Sequence, residues 1–469
     1  VKKNQTRIHM VMQEIQNKIS SRIYLPRTKL PSVRAQARFM HVSVSTVVEA
    51  YERLMAEGVI LSKPGSGFYV AGPIAPLSLT QIEPKLDREV DPLWVSRQAL
   101  DTDTTTLKPG CGWLPPTWLY ETGMRKALRT MARADSLDLA EYATSLGHPE
   151  LRQLLSRRLS GNNIEVSPNQ IILTESGTQA IDLICRFFLE PGDTVIVDDP
   201  CYFNFHALLK AHRANIVSVP YTAQGPQLEI FEQVLAEHNP RLYITNSGIH
   251  NPTGATLSPS TAHHLLKLID STNLIIIEDD IFADFELNPA PRLAALDGLQ
   301  RVIQIGSFSK TISASLRCGY IAVKNDWVEN LVNLKIATSF GGGRLSAEMV
   351  LLSLKDSGYR KHMDMVRTRL ASEMLKVIRK LEAINIQPWI IPQAGMFLWC
   401  KLPKGLDAGL IAQACLKQGV VLAPGNAFSQ SLSAKDFLRF NVVQCNDDRI
   451  FEVLAEVMKQ FVEAPQINS

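Results

Sequence analysis

Ile8, Val11, Ile15 and Ile19 recur at helical spacing, so the chain opens with an amphipathic helix. Ser32 can cap a second helix that turns Val33, Ala37 and Met40 inward, and His41-Val42 breaks it. Ser43 can cap a third, with Val47, Ala50 and Leu54 on one face and Gly58 as a left-handed stop. Two short capped helices across a tight turn predict a helix-turn-helix. Val59-Ile60-Leu61 and Phe68-Tyr69-Val70 then flank a glycine-rich tip, Lys63-Pro64-Gly65-Ser66-Gly67, which predicts a two-stranded wing.

Farther along, the patterning changes. Ile171-Ile172-Leu173, Thr194-Val195-Ile196-Val197, Leu242-Tyr243-Ile244, Leu274-Ile275-Ile276-Ile277 and Val302-Ile303-Gln304-Ile305 alternate with helical stretches. Runs without polar alternation are strands buried on both faces, as in an α/β sheet covered by helices. Ligands of such sheets sit beyond the carboxyl ends of the strands. The first run leads into Ser176-Gly177-Thr178 at a helix start, where free amides and the positive dipole end suit a phosphate. The second leads to Tyr202, the third to Asn251, the fourth to Asp279, and the fifth to Ser307, Ser309, Lys310 and Arg317. Each piece alone is ordinary, but their order points all of them into one crevice.

At 469 residues the chain is too long for one core, and between Ala71 and Leu93 four prolines stand among polar residues without periodicity. This predicts residues 1–73 as one domain, 74–93 as a linker and 94–469 as a second domain. Up to Pro73 eleven basic residues face four acidic ones, although the whole chain carries only +3. A basic module on a mildly acidic body is suited to a polyanion. The seven cysteines have no C-x-x-C spacing, so buried free thiols are expected and no metal site. No apolar run is long enough to span a bilayer and no leader pattern opens the chain, so a cytoplasmic protein without membrane contact is expected.

The run KLPSVRAQARFMHVSVSTVVEAYERLMAEGVILSKPGSGFYV resembles the winged helix-turn-helix of the GntR family over nearly its whole length. The resemblance implies double-stranded DNA as partner. The N-terminal turn of the third helix would enter the major groove, with Ser45 and Thr46 near base edges or phosphates. Arg34 and Arg38 would meet the backbone, and Lys63 and the Gly67 backbone would approach the minor groove. Relatives often carry an arginine where this chain has Val44, so a thymine-methyl contact replaces guanine readout there.

From about residue 107 to 462 the sequence resembles fold-type I aminotransferases, with large and small domains. That implies pyridoxal 5'-phosphate held as a Schiff base by Lys310. Asp279 would pair with the pyridine nitrogen, Asn251 with the ring's 3-oxygen, and Tyr202 would stack on its face. Ser176, Gly177, Thr178, Ser307, Ser309 and Arg317 would hold the phosphate. Tyr142 would reach the phosphate of a neighbouring subunit, which implies a homodimer. AGMFLWCKLP and Leu438-Arg439-Phe440 resemble the small domain, and Arg439 would clamp a substrate carboxylate. Many relatives carry a tyrosine where this chain has Phe282, a change that bears on turnover. Gly341-Gly342-Gly343 reads equally as an interface loop near the phosphate or as an ordinary loop.

The two halves together resemble the MocR subfamily of regulators. The resemblance implies transcription regulation in response to an amine, amino-acid-like or vitamer effector. The alternative is an active aminotransferase, converting amino acid to 2-oxo acid, with a DNA-binding appendage.

Overall fold

The computed structural model describes residues 6–63, 65–71, 100, 105–135 and 139–463. The linker expected at 74–93, the start of the second domain at 94 and the tip residue Pro64 lie outside them. Two compact units result, the smaller built chiefly of the residues up to 71 and the larger of nearly all that follow.

In the smaller unit, helices α1 (Arg7–Ser20), α2 (Val33–Phe39) and α3 (Val44–Ala56) precede strands β1 (Ile60–Lys63) and β2 (Gly67–Val70). The caps follow the sequence. Ser32 Oγ accepts from the Ala35 amide and Ser43 Oγ from the Thr46 amide, and Gly58 takes the left-handed φ of +68° that stops α3. Val11, Ile15, Ala37, Val47, Ala50, Tyr51, Leu54, Ile60 and Val70 form its core. A buried leucine or valine contributes about 1.5–3 kcal/mol, so the core supports a small domain. Tyr51 meets Phe68 edge-on at 4.8 Å and donates its hydroxyl to the Pro31 carbonyl at 2.9 Å, which pins the wing and the start of α2 to α3.

The larger unit holds strands β3 (Ile171–Thr174), β4 (Thr194–Asp199), β5 (Asn215–Thr222), β6 (Gly225–Pro226), β7 (Leu242–Thr245), β8 (Ile275–Asp279), β9 (Val302–Ser307) and β10 (Gly319–Ala322). They form one sheet in the order β3-β10-β9-β8-β7-β4-β5-β6. All five strands predicted from apolar runs are in it. The pairs β4–β7, β7–β8 and β8–β9 are parallel, so their carboxyl ends open on one edge. β10 was not predicted. It runs antiparallel between β3 and β9, and its four residues, one of them glycine, make no run that periodicity can detect.

A 27-residue helix, Ser357–Ala383, follows. Asp356 caps it by accepting from the Gly358 amide, and Tyr359, Met363, Val366, Leu370, Met374, Val377 and Leu381 bury one stripe. Beyond it, β11 (Gln387–Pro388), β12 (Phe397–Lys401), β13 (Ala423–Pro424) and β14 (Phe437–Asn441) make a second sheet, ordered β11-β12-β14-β13. All seven cysteines are free and buried. Among the described residues no helix is long and apolar enough to cross a membrane, and no cluster of three or more His, Cys, Asp or Glu could hold a metal ion.

Candidate cofactor crevice and nucleic-acid interface

Parallel pairing delivers the ends of β7, β8 and β9 side by side, and the crevice is built there. Asp279 ends β8, with its carboxylate accepting from the Ile281 amide at 3.2 Å. Burial pushes this carboxyl up to about 7, against the pull of Asn246 and the Ile281 amide. Lys310 lies just past β9 and donates to the Gly112 carbonyl at 2.6 Å. Burial, and then the nearby charge of Arg439, bring its amine down to about 8. An acid held high and an amine held low beside each other suit a site for chemistry.

Arg439 comes from β14, in the other sheet, and is only 1% exposed. It donates from Nη1 to Asn251 Oδ1 at 2.9 Å and from Nη2 to the Gly110 carbonyl at 2.7 Å, while Nε has no partner among the described residues. Its guanidinium lies over the ring of Phe397, 4.3 Å from the centroid, and over that of Phe428, 4.7 Å from the centroid. Burial pulls its pKa down to about 10. Tyr202, half-buried, packs against Phe203 and Phe205. Phe282 is buried against Phe285 and, edge-on, against the same Phe397 that lies under Arg439.

The residues expected to hold a phosphate stand at the ends of β3 and β9 and just beyond them. Ser176 caps helix Gly177–Phe188 by accepting from the Gln179 amide. A Cβ added to Gly177 would lie 3.8 Å from Ser307 Cβ, which brings the ends of β3 and β9 together. Ser307 and Ser309 hydroxyls are 3.0 Å apart. Thr178 and Arg317 are exposed, and Arg317 donates only a long bond of 3.3 Å to the Ala314 carbonyl. Arg317 and Thr174 line a small cavity with Gly341, Gly342 and Gly343, which places the glycine run at this end. Gly341 and Gly342 take φ of +119° and +83°, conformations closed to most side chains. Tyr142 is 71% exposed and meets the exposed ring of Phe340 at 5.0 Å.

A phosphorylated pyridine aldehyde fits this set. The start of helix Gly177–Phe188 offers amides and hydroxyls to a phosphate. The Lys310 amine is near enough to Asp279 for each to act on the other's charge, and burial still holds the Asp279 carboxyl high, as a protonated ring nitrogen would require of its partner.

Three parts of the crevice escaped the sequence reading. The carbonyls of Gly110 and Gly112 hold Arg439 and Lys310, and Asn441 braces that segment through the Cys111 and Trp113 carbonyls. Beside Asn251, a fully buried group centres on Asp198. Tyr243 and Thr245 hydroxyls donate to its carboxylate at 2.6 and 2.7 Å, and His250 Nε2 lies 3.4 Å away. His250 also contacts Thr253 through Nδ1 at 2.7 Å and stacks on Tyr221 at 3.7 Å. Third, Glu278 takes the Leu293 and Ala294 amides and the Ser247 hydroxyl, and burial pushes it up to about 7.

In the smaller unit, Arg34 and Arg38 are exposed on α2. Ser43 Oγ lies 2.9 Å from Ser45 Oγ and 2.7 Å from Thr46 Oγ1, so the hydroxyls at the tip of α3 engage one another. Lys63 lies over the Tyr69 ring at 4.5 Å, and Tyr69 in turn bonds Ser66. Gly67 has φ +107°, and a Cβ there would come 3.4 Å from Lys29 Cε. Lys29 therefore joins the wing, a contact that the sequence did not suggest.

Residues 119–457 match the family model of aminotransferase class I and II, and residues 7–70 match that of bacterial regulatory proteins of the gntR family. The chain is similar to the uncharacterized HTH-type transcriptional regulator YdcR of Escherichia coli (strain K12). The two are 27% identical over 446 residues, covering 92% of this chain and 93% of that protein. It is 28% identical over 413 residues to the HTH-type transcriptional regulator NorG of Staphylococcus aureus (strain USA300), covering 85% and 92%. Among solved structures, Pyrococcus horikoshii kynurenine aminotransferase, in complex with PMP, superimposes with a TM-score of 0.72 at 25% identity, covering 82% of this chain and 99% of that one. The α-aminoadipate aminotransferase LysN of Thermus thermophilus, complexed with N-(5'-phosphopyridoxyl)-L-leucine, gives 0.72 at 23%, with the same coverage, and speaks for the fold alone.

Proposed function

Since the chain belongs to the class I and II aminotransferase family and carries a GntR-type DNA-binding domain before it, as the MocR subfamily does, we propose that this transcription regulator reads a small amine or amino acid through bound pyridoxal 5'-phosphate. The observation that carries the proposal is the convergence of the half-buried Lys310 with the buried Asn251 and Arg439 in one crevice. Lys310 would hold the cofactor covalently. Asp279 would face its ring nitrogen, Asn251 its 3-oxygen and Tyr202 its face, with Ser176, Gly177, Thr178, Ser307, Ser309 and Arg317 on the phosphate. When bound, the cofactor supplies an electrophilic carbon for an amine and an electron sink for the bonds next to it.

This chain's own residues set what can enter. Arg439, planar and forked, is suited to a carboxylate, and its aromatic walls exclude water and strengthen that pairing. A ligand carboxylate has to win Arg439 from Asn251 Oδ1 and the Gly110 carbonyl. That exchange alters the contact between the two sheets, and a ligand changes DNA affinity only by its differential affinity for two such states. The exposed Tyr142–Phe340 pair supports a homodimer in which this face meets a second copy. The domain limits belong to the same reading, with residues 1–73 binding double-stranded DNA, 74–93 linking and 94–469 sensing.

A second reading, a working aminotransferase, draws on the same Lys310, Asp279 and Arg439. Stoichiometric 2-oxo acid formed from an amino acid, with the original cofactor spectrum restored by a second 2-oxo acid, would favour it. The regulator reading is tested by borohydride reduction, which should fix the cofactor onto Lys310, and by removal of residues 1–73. That truncation should abolish DNA binding and leave the labelled lysine. A label found elsewhere, or a truncated protein that still bound DNA with unchanged affinity, would refute it.

A further inference from the structure

The first two turns of α3 carry an unusual surface. Its buried face is Val47, Ala50, Tyr51 and Leu54. On the opposite side, Val44 is 49% exposed and Val48 40% exposed, one helical turn apart. A solvent-facing pair of β-branched apolar residues gains nothing for folding and lowers helix propensity slightly, so local stability does not explain it. Three polar neighbours of the pair have partners within the domain. Ser45 and Thr46 share the Ser43 hydroxyl, and Glu49 is paired with Arg53 at 2.5 Å. Asparagine, glutamine and arginine, the side chains that read purine edges with two hydrogen bonds, do not occur between Ser43 and Glu52.

We infer that α3 reads thymine methyl groups, through Val44 and Val48, as the main source of base specificity of the DNA-binding domain. The inference rests on the DNA-binding reading above and gives its ligand a chemical class: duplex with thymines at fixed steps of each half-site. The C5-methyl is the one apolar group that a base pair presents in the major groove. Residues four apart on a helix are about 6 Å apart along its axis, close to two base-pair steps of about 3.4 Å. The two valines therefore address methyls about two steps apart. Arg34 and Arg38 on α2, with Lys29 and Lys63 at the wing, are left to phosphates, which fix register and carry no sequence information.

The test uses the full-length protein and a pool of duplexes randomised over about two helical turns. Selected duplexes should hold thymine at fixed positions. Resynthesis with deoxyuridine at those positions removes only the methyls, and affinity should fall roughly threefold to fivefold for each methyl lost, the effect of one buried carbon. Val44→Ala should make one of the positions indifferent to thymine or deoxyuridine, and Val48→Ala another. Both positions are exposed and alanine favours helix, so folding survives. Selected sites that ignore the exchange, or variants that keep the wild-type sensitivity, would overturn the inference while leaving DNA binding intact. A protein that selects nothing from the pool would overturn the DNA-binding reading itself.

Discussion

Arg439 Nη1 donates to Asn251 Oδ1 at 2.9 Å, joining strand β14 of the small sheet to the loop that follows β7 of the large one. The side chain expected to clamp a ligand and the one expected to touch the cofactor ring are therefore partners before any ligand arrives. Arg439→Ala should keep the cofactor attached to Lys310, yet change its absorbance, because Asn251 loses a donor. It should weaken a carboxylate-bearing effector by roughly 2–5 kcal/mol, as loss of one partner of a buried charge pair does. Basal DNA affinity should match wild type, with the effector response missing. A titration of DNA binding with and without effector decides it. If the variant responded as wild type does, the effector would lack a carboxylate.

Attachment of the cofactor should depend on pH through Lys310. Only the neutral amine attacks a carbonyl, and the neutral form prevails above the pKa. Burial, with Arg439 second, lowers that pKa to about 8. The rate of borohydride-trappable attachment should therefore rise with pH and level off above about 8. Arg439→Leu removes a repelling charge, so its curve should shift to higher pH. A wild-type rate still climbing in the ordinary lysine range, about 10.4, would contradict this.

DNA binding should weaken steeply with salt. Arg34→Ala and Arg38→Ala should each flatten the slope of log affinity against log salt by about one, as a lost phosphate contact does. Slopes equal to wild type would show that these arginines do not reach the backbone.

Asp198→Asn keeps the shape of the buried group beside Asn251 and removes its charge. Tyr243 and Thr245 both donate to that carboxylate, and an amide accepts at only one of its two heads. Denaturant unfolding should show a loss of about 1–3 kcal/mol, the cost of an unsatisfied buried polar group. An unchanged midpoint would mean that the network carries no stability.

Local signals were legible in the sequence. Ser32 and Ser43 cap the helices that their spacing predicts, and five apolar runs became sheet strands, because capping and burial on both faces depend on neighbouring residues. The alignment of Asn251, Asp279 and Lys310 at strand ends was legible through order alone. What was missed depends on pairing at a distance. Gly110 and Gly112 contribute carbonyls, which every residue has, and only the fold selects these two. The Asp198 group needs β4, β7 and the loop after it side by side, and Lys29 meets Gly67 only when the wing folds back. The contacts of the Ser45 and Thr46 hydroxyls with Ser43 likewise follow from the capping geometry at the start of α3.

Lys310 stands on the connection between β9 and β10 of the eight-stranded sheet, and Arg439 stands in the four-stranded one. A molecule whose amine took the place of Lys310 on the cofactor, and whose carboxylate paired with Arg439, would act as a strut of fixed length between two plates. Its separation of charges, more than its tightness, would then set how far apart the plates rest. Compounds that fill only one grip would occupy the crevice and leave the plates where they were, which makes them silent competitors of the true signal.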